Sequence, residues 1–461
     1  MATLEQRMAA LERENARLRA QLHALGGNPP APSSAPVAFA SDSNIAAHNN
    51  AYSPLSAIEI QRYGRQMLVK DFGAAAQRRL QTSRALVVGA GGLGCPVAMY
   101  LSAMGVGTIG LVDADTVERS NLHRQVLHGE DTIGMLKVES ARQLLQQLNP
   151  HARIETAVMR VTAANAEEIV AKYDVVVDAT DNPATRYVLN GACITQRKAL
   201  VSGSALGMEG QLTVFAFDGR GADDTRPCYQ CVYPRPPKAP QSCAENGVLG
   251  VVPGIIGSLQ AVEAVKALTG VGQLLDGTQC LYDAYDGRVR QLKLGQRRAD
   301  CPACQPATHC ERQSLPQLMA ALGASEDEQA QSCACGDVQN EAPLPAEHEV
   351  DAVALAQARR RTPSQDKSFV LLDVRARHQF DIVHFPEAIN VPLRELTANK
   401  TPLVEQWKQQ QQRVVVVCRR GVDSVTATKW LLAQGMCNVQ NVTGGYTEFA
   451  RAVPDEQFPM Y

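Results

Sequence analysis

The sequence predicts two α/β domains in tandem, the first built on a doubly wound parallel sheet. Three observations lead there. Short apolar runs (RALVVGA, TIGLVDAD, ARIETAVM, DVVVDAT and ALVSGSA) alternate with helical stretches between residues 55 and 310. That alternation is what a parallel sheet covered on both faces requires. The first run leads into Gly89-x-Gly91-x-x-Gly94, the spacing of a strand–turn–helix that seats a pyrophosphate. A second set of strands, FVLLDVR, AINVP, RVVVVC and NVQNVTGG, then marks a smaller α/β unit at residues 349–461.

The bulk numbers narrow the function classes. A chain of 461 residues allows two or three domains. A formal net charge of −2 gives no basic field, so no direct nucleic-acid binding is expected. No apolar run approaches membrane-spanning length, and the charged N-terminus has no apolar h-region, so neither a membrane span nor a secretory signal is expected. Thirteen cysteines without a signal read as reduced thiols, used for metal or chemistry.

Organisation follows from composition. Residues 1–25 carry a heptad, with Leu4, Met8, Leu11, Asn15, Leu18, Leu22 and Leu25 on one seam. It suits a coiled-coil pair or an amphipathic helix docked on its own domain. Residues 26–54 are a Gly/Pro/Ser/Ala linker and residues 311–348 an acidic second one, which leaves 55–310 as the first domain.

The glycine loop alone does not choose a nucleotide. Asp113, at the end of the next strand, can take ribose hydroxyls of NAD or of ATP. Its neighbours discriminate. Arg124 in ERSNLHRQVL and Lys137 in GMLKVES suit the charge of departing pyrophosphate. Asp181, beside Asn182 in VVVDATDNPATR, is read at a strand's C-terminal end, where a carboxylate suits Mg²⁺. Together they favour ATP being consumed over hydride transfer by a dehydrogenase.

The cysteines divide by context. Cys228 and Cys231 (CYQC) with Cys301 and Cys304 (CPAC) form two CxxC knuckles, the donor set of one structural Zn²⁺. A redox-active CxxC would not need the second pair. Cys243 follows a Pro/Ser-rich stretch and precedes a helix, where a thiol is activated by the helix N-terminus. Cys418 ends a four-valine strand and opens a tight loop, RRGVDS, into a helix. Loop N–H groups, the helix N-terminus and two arginines there favour a thiolate, a persulfide anion or an oxyanion. A cysteine phosphatase needs arginine at the sixth position after its cysteine; here that residue is Ser424. A sulfur carrier has no such need. Cys310, Cys333 and Cys335 are given no role, and Cys95, Cys193, Cys280 and Cys437 read as core.

The collinear motifs RYGRQM, VVGAGGLGCP, LVDADTVERSNLHRQVLH, GMLKVESA, DATDN and VSGSALGMEGQLTVF resemble the MoeB/ThiF and ubiquitin-activating enzyme superfamily. The resemblance implies a Rossmann-like adenylation domain. In it, the C-terminal glycine carboxylate of a ubiquitin-like protein attacks the α-phosphorus of ATP. Carried over by position, the nucleotide contacts are Gly92, Asp113, Ser120, Asn121, Leu122, His123, Arg124, Lys137, Asp181 and Asn182. Arg65 matches an arginine supplied across a homodimer interface, and Cys243 a cysteine that accepts the acyl group or resolves a disulfide. LLDVRARHQFDIVHFPEAINVPL with the Cys418 loop resembles the rhodanese domain, down to Asp373 and Arg375. Departures are Val383, where the family usually has glycine, and Val422, where many relatives have asparagine.

Joined in one chain, the two resemble the eukaryotic molybdopterin-synthase adenylyltransferase/sulfurtransferase family. That implies a cytosolic enzyme using ATP, a sulfur-carrier protein ending in Gly-Gly, and a persulfide donor such as a cysteine desulfurase. Its outlets would be molybdopterin synthesis and thiolation of the tRNA wobble uridine. The alternative is an activating enzyme for protein conjugation through a Cys243 thioester.

Overall fold

The computed structural model describes residues 55–217, 224–236, 247–304, 315–321, 344–361, 369–398 and 402–459. The N-terminal heptad and Cys243, Cys310, Cys333 and Cys335 lie outside them.

Helices α1 (Ala57–Met67) and α2 (Gly73–Thr82) lead into an eight-stranded sheet. Its strands are β1 (Arg84–Val88), β2 (Thr108–Val112), β3 (Arg153–Ala157), β4 (Val175–Asp178), β5 (Ala199–Leu206), β6 (Glu209–Phe215), β7 (Thr278–Asp283) and β8 (Arg288–Lys293). The spatial order is β3-β2-β1-β4-β5-β6-β7-β8, parallel through β5 and antiparallel beyond it. Valine and leucine fill β1, β2 and β4 because both faces are covered: Leu86 and Val88 enter one core, Val87 the other. The helices α3 (Gly94–Ala103), α4 (Lys137–Leu148), α5 (Ala166–Ala171) and α6 (Pro183–Gln196) carry the crossovers. The chain winds one way from β1 and the other way from β4, so a crevice opens between their C-terminal ends.

Two glycines make the first turn possible. Gly89 has φ +97°, and a Cβ there would sit 2.7 Å from the Ala179 carbonyl oxygen. A Cβ on Gly94 would sit 1.8 Å from the Gly89 oxygen, so α3 can begin only where no side chain intervenes.

Helix α8 (Val251–Thr269), which follows the short α7 (Tyr229–Val232), corrects the reading that no span is long and apolar enough for a membrane. By length and composition it qualifies, yet half of it is buried against the sheet. Its polar residues serve the fold: Gln260 Nε2 donates to Asp178 O (2.7 Å) and Val201 O (3.2 Å). One described α-helix falls within residues 311–348. Helix α9 (Leu315–Ala321) buries Leu315, Leu318 and Met319 in the core beside α6.

The smaller domain is a five-stranded parallel sheet in the order β11-β10-β12-β13-β9. The strands are β9 (Glu349–Val350), β10 (Val370–Asp373), β11 (Ile389–Asn390), β12 (Val414–Val417) and β13 (Val439–Val442). Helix α10 (Ala352–Arg361) follows β9; α11 (Arg377–Phe380), α12 (Leu393–Thr397) and α13 (Leu403–Gln409) precede β12; α14 (Val422–Ala433) and α15 (Gly445–Ala452) complete the unit. Cys95, Cys193 and Cys280 are core, but Cys437 is exposed. Met436 and Val439 take the inward positions around it.

Gly94→Ala is expected to cost about 1–3 kcal/mol through overpacking, read as a lower urea midpoint for the first domain.

Candidate active sites

The crevice between β1 and β4 is a cavity of about 420 Å³ lined by Gly92, Asp113, Arg124, Lys137, Asp181 and Asn182 among others. That size suits a nucleotide. Its floor is the glycine turn, pinned at one residue, Ala90. The Ala90 N–H donates to Asp113 Oδ2 (2.8 Å), and His128 Nε2 lies 3.0 Å from the Ala90 oxygen. A carbonyl only accepts, so Nε2 carries the proton and Nδ1 accepts from the Ser140 hydroxyl on α4 (2.9 Å). Burial holds the His128 pKa below the ordinary histidine value, which keeps this neutral arrangement.

Lys137, the first residue of α4, is buried, with Nζ 2.9 Å from Asp115 Oδ2. Burial alone would discharge it. Asp113, Asp115 and Asp181 outweigh that and raise its pKa, so it stays an ammonium. Arg124 is held differently. Its guanidinium donates to Ser120 O (3.1 Å), Asn121 Oδ1 (2.6 Å) and His123 Nε2 (2.7 Å). Burial and Arg124 both push the His123 pKa down, which keeps that nitrogen an acceptor. Ser120, Asn121, Leu122 and His123 are not among the cavity's lining residues. Three of the four orient Arg124 instead.

The strand β4 ends at Asp178, three residues before Asp181, which corrects the placement of Asp181 on a strand end. Asp178 is fully buried and accepts from Thr180 N (3.1 Å), Thr180 Oγ1 (2.7 Å) and Ser202 Oγ (2.8 Å). It faces inward and braces the loop. Asp181 is exposed in that loop and lines the crevice. Asn182 caps α6, its Oδ1 accepting from Ala184 N at 2.9 Å. Arg65 is exposed on α1 and does not line its own chain's crevice.

Sequence reasoning missed Asp115, Gln125, His128 and Arg186. Asp115 had a signal, the second carboxylate of VDAD. Gln125 is buried in the cavity wall with no partner for Oε1 among the described residues. Arg186 reaches the cavity from α6 and donates to Thr180 O (2.8 Å) and Gly203 O (3.1 Å). Nothing in the spacing of Gln125, His128 or Arg186 marks them as site residues.

The four knuckle cysteines meet as expected, all sulfurs within 4.8 Å of one another. Cys228 lies 3.7 Å from Cys231 and from Cys301, and Cys231 lies 3.4 Å from Cys304. These separations are far beyond a disulfide bond. Four sulfurs about 2.3 Å from one tetrahedral ion would stand about 3.8 Å apart. The Arg298 N–H also points at Cys231 Sγ (3.4 Å). The donor set fits a metal.

The third site is the Cys418 loop. Four buried valines of β12 end at Cys418, and α14 starts four residues later behind Gly421 at φ +86°. The Gly421 N–H donates to Cys418 Sγ at 3.1 Å, and Ser424 Oγ lies 3.2 Å from the same sulfur. A second turn locks this loop from outside. Tyr446 N donates to Cys418 O (3.0 Å) and Thr447 N to Arg419 O (2.9 Å). Gly445 permits the approach, since a Cβ there would lie 2.3 Å from Cys418 O. Asp373 and Arg375 form a buried pair away from the sulfur. Arg375 Nη2 is 2.6 Å from Asp373 Oδ2, and Tyr446 Oη donates to that oxygen at 3.0 Å. The pair ties β10 to the turn that locks the loop. At Val383 it is the backbone oxygen that makes the contact, accepting from Arg375 Nη2 at 2.8 Å.

A glycine-turn crevice with a buried lysine, a four-thiol knuckle and a cradled strand-end thiol define an ATP-using activating domain joined to a sulfur-handling domain. The ThiF family model matches residues 63–303 and the rhodanese-like domain model residues 355–452. The chain belongs to the ThiF family and ends in a rhodanese-like domain. Its relatives include the adenylyltransferase and sulfurtransferase MOCS3 of Aedes aegypti, 41% identical over 419 residues, 89% of this chain and 91% of that one. The Drosophila virilis MOCS3 is 38% identical over 466 residues, 99% and 98% of the two chains. The Zea mays MOCS3-2 is 40% identical over 426 residues, 89% and 84%. The chain is thus an adenylyltransferase and sulfurtransferase.

Arg375→Met leaves Asp373 buried without its cation and is expected to cost about 3–5 kcal/mol, measured as a lower urea midpoint for the smaller domain.

Proposed function

We propose that this enzyme adenylates the C-terminal glycine of a ubiquitin-like sulfur carrier and then converts it to a thiocarboxylate with sulfur from Cys418. The observation that supports this best is Lys137, a buried ammonium kept charged at the mouth of the glycine turn. The carrier carboxylate attacks the α-phosphorus of ATP, an acyl–phosphate bond forms, and pyrophosphate leaves with the electron pair. Lys137 and Arg124 meet that departing charge, Asp113 takes the ribose, and the turn at Gly92 receives the phosphates. Asp181 is the residue that would hold Mg²⁺, which neutralises phosphate charge when bound. Asn182 shapes the same loop as the cap of α6, and Ser120, Asn121 and His123 hold Arg124. Arg65 is exposed and outside its own crevice, which supports its acting in trans within a homodimer.

In the second half a persulfide donor, such as a cysteine desulfurase, loads Cys418. The Cys418 persulfide displaces AMP from the acyl-adenylate. The resulting acyl disulfide is cleaved by a thiolate, for which Cys243 is our candidate, releasing the thiocarboxylate and leaving a Cys243–Cys418 disulfide. Cys228, Cys231, Cys301 and Cys304 would hold one Zn²⁺, which joins two distant segments and leaves no open position for catalysis. The outlets we assign are cytosolic: thiolation of the tRNA wobble uridine and molybdopterin synthesis.

ATP–pyrophosphate exchange with a purified ubiquitin-like protein ending in Gly-Gly tests the first half. Exchange is expected to depend on that protein, to fall about 10²–10³-fold in Lys137→Ala, and to persist in Cys418→Ala, which forms no thiocarboxylate. Exchange that ignores the protein, or that dies with Cys418, would refute the division of labour. Zinc analysis is expected to give one ion per chain, and Cys301→Ser with Cys304→Ser to lose both the ion and several degrees of melting temperature.

A further inference from the structure

Ser424 enters the sequence only as the residue that is not arginine. In the fold it is fully buried in the first turn of α14, its Oγ 3.2 Å from Cys418 Sγ. The Gly421 N–H also donates to that sulfur, at 3.1 Å. A thiolate has no proton to give, so toward the ionised sulfur the hydroxyl donates. Hydrogen bonds to a charged acceptor away from water are the strong ones.

We propose that Ser424 is a catalytic residue of sulfur transfer, its hydroxyl stabilising the Cys418 thiolate both as it attacks and as it is released. The proposal rests on the reading of Cys418 as sulfur carrier. In loading, Cys418–S⁻ attacks the outer sulfur of a donor persulfide R–S–SH. The new Sγ–S bond forms, the donor S–S bond breaks, its electron pair leaves on R–S⁻, and the proton stays on the transferred sulfur. Sγ is then a neutral disulfide-type sulfur and a poor acceptor. When the Cys243 thiolate later cleaves the acyl disulfide it attacks Sγ, the Cys243–Cys418 bond forms, and the carrier sulfur leaves with the electron pair as the thiocarboxylate. Sγ regains its charge when an external dithiol attacks the Cys243 sulfur of that disulfide, the S–S bond breaking with its electron pair on Sγ, and Ser424 is already aimed at it. A better-stabilised thiolate is a faster leaving group. Where a phosphatase would place a cation for a phosphoryl group, this loop places a neutral donor for a single sulfur.

The test uses the full chain, with Ser424→Ala and the isosteric pair Ser424→Thr and Ser424→Val, which differ only in the hydroxyl. The rate of iodoacetamide alkylation at Cys418 is followed by peptide mass spectrometry from pH 6 to 10. The surrounding charges, Arg419, Arg420, Asp423 and, from α15, Glu448, are the same in every variant. Ser424→Ala and Ser424→Val are expected to react about tenfold more slowly than wild type at pH 7 and to converge with it near pH 10. Ser424→Thr should follow wild type, and sulfur transfer from thiosulfate to cyanide should fall in the same order. Superimposable alkylation curves in an active wild type overturn the role of Ser424 alone, as does a Thr variant that behaves like Val. A wild type that moves no sulfur from thiosulfate overturns the carrier reading and the assignment to sulfur transfer with it.

Discussion

Both chemistries depend on one backbone event: a buried parallel strand turning into a helix so tightly that amide groups face outward at the turn. In the first domain the turn follows β1, in the second it follows β12. Peptide N–H groups there are fixed positive ends that need no counter-charge and no titration. The cost is steric. Gly94 must let the Gly89 oxygen pass, and Gly445 must let the Cys418 oxygen pass, because no side chain fits either gap.

Each turn is then held by groups outside it. Ala90 is clamped on its N–H by Asp113 and on its oxygen by His128. The Cys418 loop is clamped on two carbonyls by the turn at Gly444 and Gly445, which the Asp373–Arg375–Tyr446 cluster anchors in turn. Clamping carbonyls from outside aims the remaining N–H groups at the ligand or the sulfur. Preorganised donors of this kind need not rearrange during the reaction.

The cations of the crevice are set by opposite means. Lys137 is buried among carboxylates, so its charge survives desolvation. Arg124 is held by neutral oxygens and by a histidine nitrogen, with no carboxylate paired to it among the described residues. The crevice therefore presents one cation balanced by carboxylates and one held by neutral groups. That difference gives the two residues distinct parts although both line the same cavity.

The sequence by itself determined the strand–helix alternation, both turns, the four-thiol knuckle and the strand-end thiol Cys418. These rest on local periodicity, on glycines at fixed offsets and on CxxC spacing, all legible within a few residues. The resemblance of the motifs extended this to ATP, and the family match agrees with it. What only the tertiary structure decided involves residues distant in sequence or alike in type. Asp178 and Asp181 are equivalent on paper, yet one is sealed against Thr180 and Ser202 while the other faces the crevice. His128 reaches the glycine turn from 38 residues away. Cys437 looked like core until Met436 took its place. Ser424 looked like an absence until the first turn of α14 set its hydroxyl on Cys418. Which side of a turn a polar group faces is settled by packing, and packing is not written in spacing.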